Sequence, residues 1–143
     1  MSSFRVGADT NVLVSAHLSN NPASPGQEFL LRWRDGEFIF LFSWTSLIEY
    51  ERKLIEKGID RDKAVRFLAL IISLGEEIEI KHFHFRVYPD DPDDIAFLLC
   101  AINGKASHLV THDQHLLKIS VSYQRFVTIC RVIPFLEAVR LSE

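Results

Sequence analysis

Five short strand-like runs, each parted from the next by a stretch with helical periodicity, constrain this chain more than any single residue does. Phe4–Ala8, Glu37–Phe42, Glu77–Lys81, Ser107–Val110 and Arg125–Ile129 read as strands. Asn11–His17 reads as a short helix. Ser24-Pro25-Gly26-Gln27 opens a second, with Ser as N-cap and Pro at the first helical position. Ser43 caps a helix through Lys57, Asp60 caps one to Leu74, and Asp91-Pro92 opens one ending at Gly104. Thr111 is read as the cap of a further short helix, and Pro134–Leu141 as the last. Glycines 36, 58, 75 and 104 stand where helices stop, the expected left-handed closing position. Strands separated by helices need crossover connections, so neighbouring strands run parallel and helices cover both faces. The prediction is a three-layer α/β/α sandwich with a central, mostly parallel sheet.

The chain has 143 residues, which predicts one domain over 1–143. Its net charge of −3 argues against a whole-surface polyanion binder, so a nucleic-acid ligand would need local cations. Cys100 and Cys130 lack metal-site spacing and read as buried free thiols of a reducing compartment. The start of the chain has no signal-peptide pattern, and no apolar run reaches the roughly 18 residues of a membrane span. A cytoplasmic protein is expected. Eleven Phe residues suggest a well-filled core with apolar surface left for a partner or a second copy of the chain. The alternation His82-Phe83-His84-Phe85 has strand periodicity.

Four acids stand where a strand gives way to a helix or just inside it: Asp9, Glu49, Asp94 and Asp113. In parallel α/β sheets, sites form beyond the carboxyl ends of the strands, at the point where strand order reverses. Carboxylates gathered there would repel by roughly 4 kcal/mol per pair at about 4 Å. A hard divalent cation with oxygen ligands, Mg²⁺ or Mn²⁺, would offset that repulsion. Helix capping explains Asp9, Asp94 and Asp113 singly. It does not explain Glu49, which lies in the second turn after its cap. Asp91 and Asp93 crowd Asp94, so which of the three would bind metal stays open. The apolar run Ile95–Ala101 that follows reads as a buried helix, so these carboxylates point into something structured.

These blocks resemble the PIN domain family. The match runs through Val6-Gly7-Ala8-Asp9-Thr10-Asn11, the Ser43–Glu49 helix start, Asp91-Pro92-Asp93-Asp94 through Ala101, and Leu109-Val110-Thr111-His112-Asp113-Gln114-His115-Leu116-Leu117. The third block is similar to the branch of the family that contains toxins of toxin–antitoxin pairs. The resemblance implies a ribonuclease that uses one or two Mg²⁺ or Mn²⁺ ions held by Asp9, Glu49, Asp94 and Asp113, with water attacking an RNA phosphodiester. It implies polar support from Thr10, Asn11 and Thr111, and a small protein antitoxin as partner. His112 stands where glycine or a basic residue is commoner, a position that would meet substrate. Ile95 stands where a polar residue is frequent. Two other readings compete. One is a PIN-like scaffold that binds RNA or protein without cutting. The other is a phosphatase of the haloacid dehalogenase type, with Asp9 as nucleophile and Ser43 as phosphate-binding hydroxyl. The latter wants a second Asp where Asn11 stands.

Overall fold

The computed structural model describes residues 4–82, 84 and 87–142. Its strands are β1 (Arg5–Ala8), β2 (Ile39–Phe42), β3 (Glu76–Glu77), β4 (His108–Val110) and β5 (Thr128–Cys130). They form one sheet in the order β3-β2-β1-β4-β5, every pair parallel. The chain steps outward from β1 to β2 and β3, then returns to add β4 and β5 on the other side. Strand order therefore reverses at β1, and a crevice opens between the carboxyl ends of β1 and β4.

The helices are α1 (Thr10–Leu18), α2 (Pro25–Arg34), α3 (Trp44–Glu56), α4 (Arg61–Leu74), α5 (Ile95–Asn103), α6 (Gln114–Lys118), α7 (Ser120–Tyr123) and α8 (Val132–Leu141). A single 3-10 turn, Pro92–Asp94, leads into α5. Alternation along the strands splits the core between two layers. Phe40 of β2 joins an aromatic group with Phe29, Trp33 and Tyr50, and Phe29 in turn meets Phe38 and Phe135 of α8. Leu41, the next residue, points to the other side, where the end of α5 approaches it. Gly7 of β1 faces α5, with Ala101 Cβ only 3.7 Å from where a Cβ would stand. These are the three layers expected of an α/β/α sandwich.

Several elements differ from the sequence reading, each for a local reason. β3 ends at Glu77 rather than Lys81, because β2 has turned into α3 and leaves no partner beyond the bond from Ile78 N to Phe42 O. The Asn103 side chain takes over, accepting from Lys81 N and His82 N at 2.8 Å each. His82 and His84 lie in no strand, and Phe83 and Phe85 fall outside the described residues. β5 begins at Thr128 because Phe126 N and Val127 N both bond back to Tyr123 O, closing the unpredicted α7. Thr111 is not a helix cap. Asp113 caps α6 instead, accepting from His115 N at 2.7 Å.

Gly36 and Gly58 take positive φ of 80° and 90°, the expected left-handed closure. Gly75 and Gly104 do not, and the reason for glycine there is close approach. A Cβ on Gly75 would lie 2.6 Å from Ile71 O and 2.9 Å from Phe40 O, both backbone atoms that cannot swing aside. We expect Gly75→Ala to destabilise the fold by roughly 1–3 kcal/mol, read as a shifted urea midpoint. Gly36→Ala has open space and should cost about 1–2 kcal/mol from its backbone conformation alone.

Candidate active site

The crevice at the strand reversal is filled by carboxylates. Asp9 follows β1, and its backbone N extends the sheet by bonding Val110 O at 3.0 Å. Its side chain caps α1, with Oδ1 accepting from Val12 N at 3.2 Å. Capping and site membership are thus one geometry: the cap fixes the carboxylate at the sheet edge. Asp94 ends the 3-10 turn and is delivered by α5, which packs on β1, β2 and β4. Asp113 stands just beyond β4. One carboxylate oxygen from each of Asp9, Asp94 and Asp113 lies within 4.8 Å of the others. Asp9 and Asp94 are buried, and Asp113 is half-buried.

Thr111 ties the group together. Its side chain is fully buried. The hydroxyl donates to Asp9 Oδ2 and accepts from Asp113 N at 2.8 Å. Tyr50 supports the same edge from α3, donating to Ala8 O at 2.5 Å and stacking on Phe97 of α5 at 5.5 Å. Phe97 lines the acidic cavity, whose volume is about 80 Å³.

Burial is the main reason the Asp9 carboxyl is pushed up to about 6, opposed by its bonds from Thr111 and Val12. Burial also leads for Asp94, raised to about 8, with repulsion from Asp113, Asp91 and Asp9 adding to it. Among the described residues, Asp94 Oδ2 is buried without a hydrogen-bond partner. A buried carboxylate left unpaired is costly unless it is protonated or bound to a cation.

That test favours a hard divalent ion. The donors are all carboxylate oxygens, and one of them is orphaned. Oxygens bound to one Mg²⁺ at roughly 2.1 Å lie within about 4.2 Å of each other. The observed cluster is close to that spacing.

The remaining predicted residues take distinct places. Glu49 lines the cavity but is not one of the three converging acids. Its Oε2 pairs with Arg52 at 2.8 Å, and Arg52 reaches across to Asp93 at 3.3 Å. Asp93 is exposed, and Asp91 spends an oxygen capping the 3-10 turn through Asp93 N. All three clustered acids line the cavity, but Asp94 is the one that is buried and converges with Asp9 and Asp113. Thr10 and Asn11 line the cavity. His112 does not: it lines a neighbouring groove with Arg131. Burial, then Arg131, lowers its pKa. Ser43 is buried in a reciprocal capping pair with Ser46 and is absent from the cavity wall, so it offers no phosphate-binding hydroxyl beside Asp9. Lys53 also lines the cavity and was missed. Its spacing of four from Glu49 places it on the same helix face and could have revealed it.

The PIN domain family model matches residues 5–115. The chain belongs to the PIN domain family. PIN domains are generally nucleases and typically use divalent metals, in keeping with the acidic triad Asp9, Asp94 and Asp113. No curated protein matches the chain. Among the described residues, no helix is long and apolar enough to cross a membrane, and the cysteines are free thiols, Cys100 buried and Cys130 half-buried.

Raised carboxyl pKa values mean that the folded state holds protons the unfolded chain releases. For metal-free protein, stability should therefore fall as pH rises from about 4, the ordinary carboxylate value, to about 8. Thermal unfolding in chelator across that range checks it. Asp94→Asn removes one repelling charge and should flatten that slope.

Proposed function

We propose that this PIN domain is an endoribonuclease that cuts RNA with one or two Mg²⁺ or Mn²⁺ ions, and that it serves as the toxin of a toxin–antitoxin pair. The observation that carries the nuclease reading is the unpartnered Asp94 Oδ2, buried beside Asp9 and Asp113. Asp9, Asp94 and Asp113 would hold the ion, with Glu49 at the cavity wall as a further acid. When bound, the ion supplies Lewis acidity that activates water and neutralises charge developing on the phosphodiester.

The protein's own groups do the positioning. Thr111 fixes the Asp9 carboxylate and the turn that carries Asp113. Thr10 and Asn11 present polar groups along the same wall, suited to orienting acids or a phosphate oxygen. Lys53 and Arg52 place positive charge at the rim of a cavity that would otherwise repel a polyanion. A cytoplasmic setting fits the free thiols. A small protein antitoxin is the expected partner, and the exposed Trp44 and Ile48 on α3 offer apolar surface for it.

A binding-only scaffold has one observation in its favour: Arg52 already occupies Glu49. Incubation of single-stranded RNA with purified protein in Mn²⁺, in Mg²⁺ and in chelator separates the two readings. Cleavage should need the metal and fall at least about a hundredfold in Asp94→Asn. RNA retained but left intact under every condition would favour the scaffold, and cleavage indifferent to chelator would overturn the metal mechanism. Thr111→Val should keep the fold yet weaken Mn²⁺ binding roughly 10–100-fold, measured by calorimetry.

A further inference from the structure

A second cavity, of about 410 Å³, lies beside the acidic one and has the opposite electrostatic character. Its walls come from α1, the start of α2 and the first turn of α8. No acid lines it. Arg131 and His112 do, and among the described residues neither side chain makes a hydrogen bond or ion pair. Arg131 is exposed and precedes α8 without a side-chain capping bond.

The sheet fixes how this groove sits relative to the acids. β1, β4 and β5 are adjacent parallel strands. Asp9, the Thr111–Asp113 segment and Arg131 are the residues that follow their carboxyl ends. Thr111 N bonds Cys130 O at 2.9 Å, so Arg131 begins one strand over from Thr111. Strands lie about 4.8 Å apart, which puts Arg131 roughly 10 Å from Asp9 along the sheet edge. His112 is flanked in sequence by Thr111 and Asp113 of the acidic centre, yet lines the groove. Along α1, Asn11 lines the acidic cavity while Ser15, four residues on and on the same helix face, lines the groove. The two cavities therefore share a wall.

An acidic centre that cuts a phosphodiester gains little affinity from the strand that carries it, since a net charge of −3 gives no general attraction. An unpaired cation one strand away supplies it locally. We propose that this groove binds a phosphate of the RNA strand next to the one presented to the acidic cavity. Arg131 is its cation, and His112 and Ser15 are its hydrogen-bonding groups. The guanidinium fork matches two phosphate oxygens. The inference rests on the reading of the acidic centre as an RNA-cutting site.

Equilibrium binding of a labelled single-stranded oligoribonucleotide in chelator, over a salt series, tests it without cleavage. Arg131→Gln should weaken binding about five- to tenfold and reduce the salt slope by about 0.7, the loss of one phosphate contact on a single strand. Arg131→Lys should keep the slope, because it keeps the charge. Ser15→Glu, on an exposed face of α1, sets a carboxylate in the opposite wall and should weaken binding by a similar factor. Thermal midpoints should match wild type in all three. Wild-type affinity and slope in both Arg131→Gln and Ser15→Glu, with cleavage in Mn²⁺ intact, would overturn the groove alone. RNA held in an Arg131-dependent way but left uncut in Mn²⁺ would defeat the nuclease reading and leave the groove standing. RNA neither held nor cut by wild type would overturn both.

Discussion

The parallel pairing of β1 with β4 is the constraint on which the rest of this site depends. Val6, Gly7 and Ala8 stand opposite His108, Leu109 and Val110, and the ladder runs on through Asp9 N to Val110 O. Two segments a hundred residues apart are thereby held in register to within a hydrogen bond. Thr111 becomes the direct neighbour of Asp9, and its hydroxyl can bridge the two strands' ends. Helix α5 packs against both strands, and Gly7 faces it with Ala101 Cβ 3.7 Å from where a Cβ would stand. A Cβ there would make ordinary van der Waals contact, so only a larger side chain at position 7 would press on α5 and the Asp94 carboxylate it delivers.

The two ends of the sheet are fastened by different means. At the amino end, Arg5 forms a bidentate pair with Glu76 at 3.0 and 2.6 Å and donates to Gly104 O. That joins β1, β3 and the end of α5 with groups that satisfy one another. At the carboxyl end the fastening is Tyr50, Phe97 and Thr111, all engaged from beneath or beside the acids. None of them neutralises a carboxylate. The amino-end groups satisfy one another, whereas among the described residues no ion pair neutralises Asp9, Asp94 or Asp113 at the opposite edge.

Much of this was legible in the sequence because it follows from local chemistry. Ser24-Pro25 and Ser43 announce their helices, and short strands parted by helices require parallel crossovers. The sandwich follows, and so does the gathering of Asp9, Asp94 and Asp113, since all three follow strand or crossover ends. What was not legible depends on tertiary partners. Glu49 stood out because capping could not explain it, yet it is Arg52, three residues on, that explains its position at the rim. Thr111 reads as a helix cap from its spacing to Asp113. It is instead a link to Asp9, a residue whose nearness depends on strand order. Gly75 and Gly104 look like left-handed helix stops, whereas the tight passage of backbone beside Phe40 and of side chains beside Leu41 and Ile78 is what excludes a Cβ there.

The acids themselves show how a fold can hold like charges together. Asp9 is partly compensated: it caps α1, accepts from Thr111, and so resists protonation more than its burial alone would allow. Asp94 has no such compensation, and its pKa is displaced further. The difference assigns them different parts in one site. Asp9 is held in one orientation, because its hydrogen bonds already specify where each oxygen points. Asp94 carries the oxygen left without a partner among the described residues, so a cation placed there would satisfy it most. An arrangement with every acid capped would be more stable without metal and would bind it less tightly. One with none capped would bind no single geometry. The observed division, one acid held by the backbone and one left wanting, would give an ion both a defined position and a driving force.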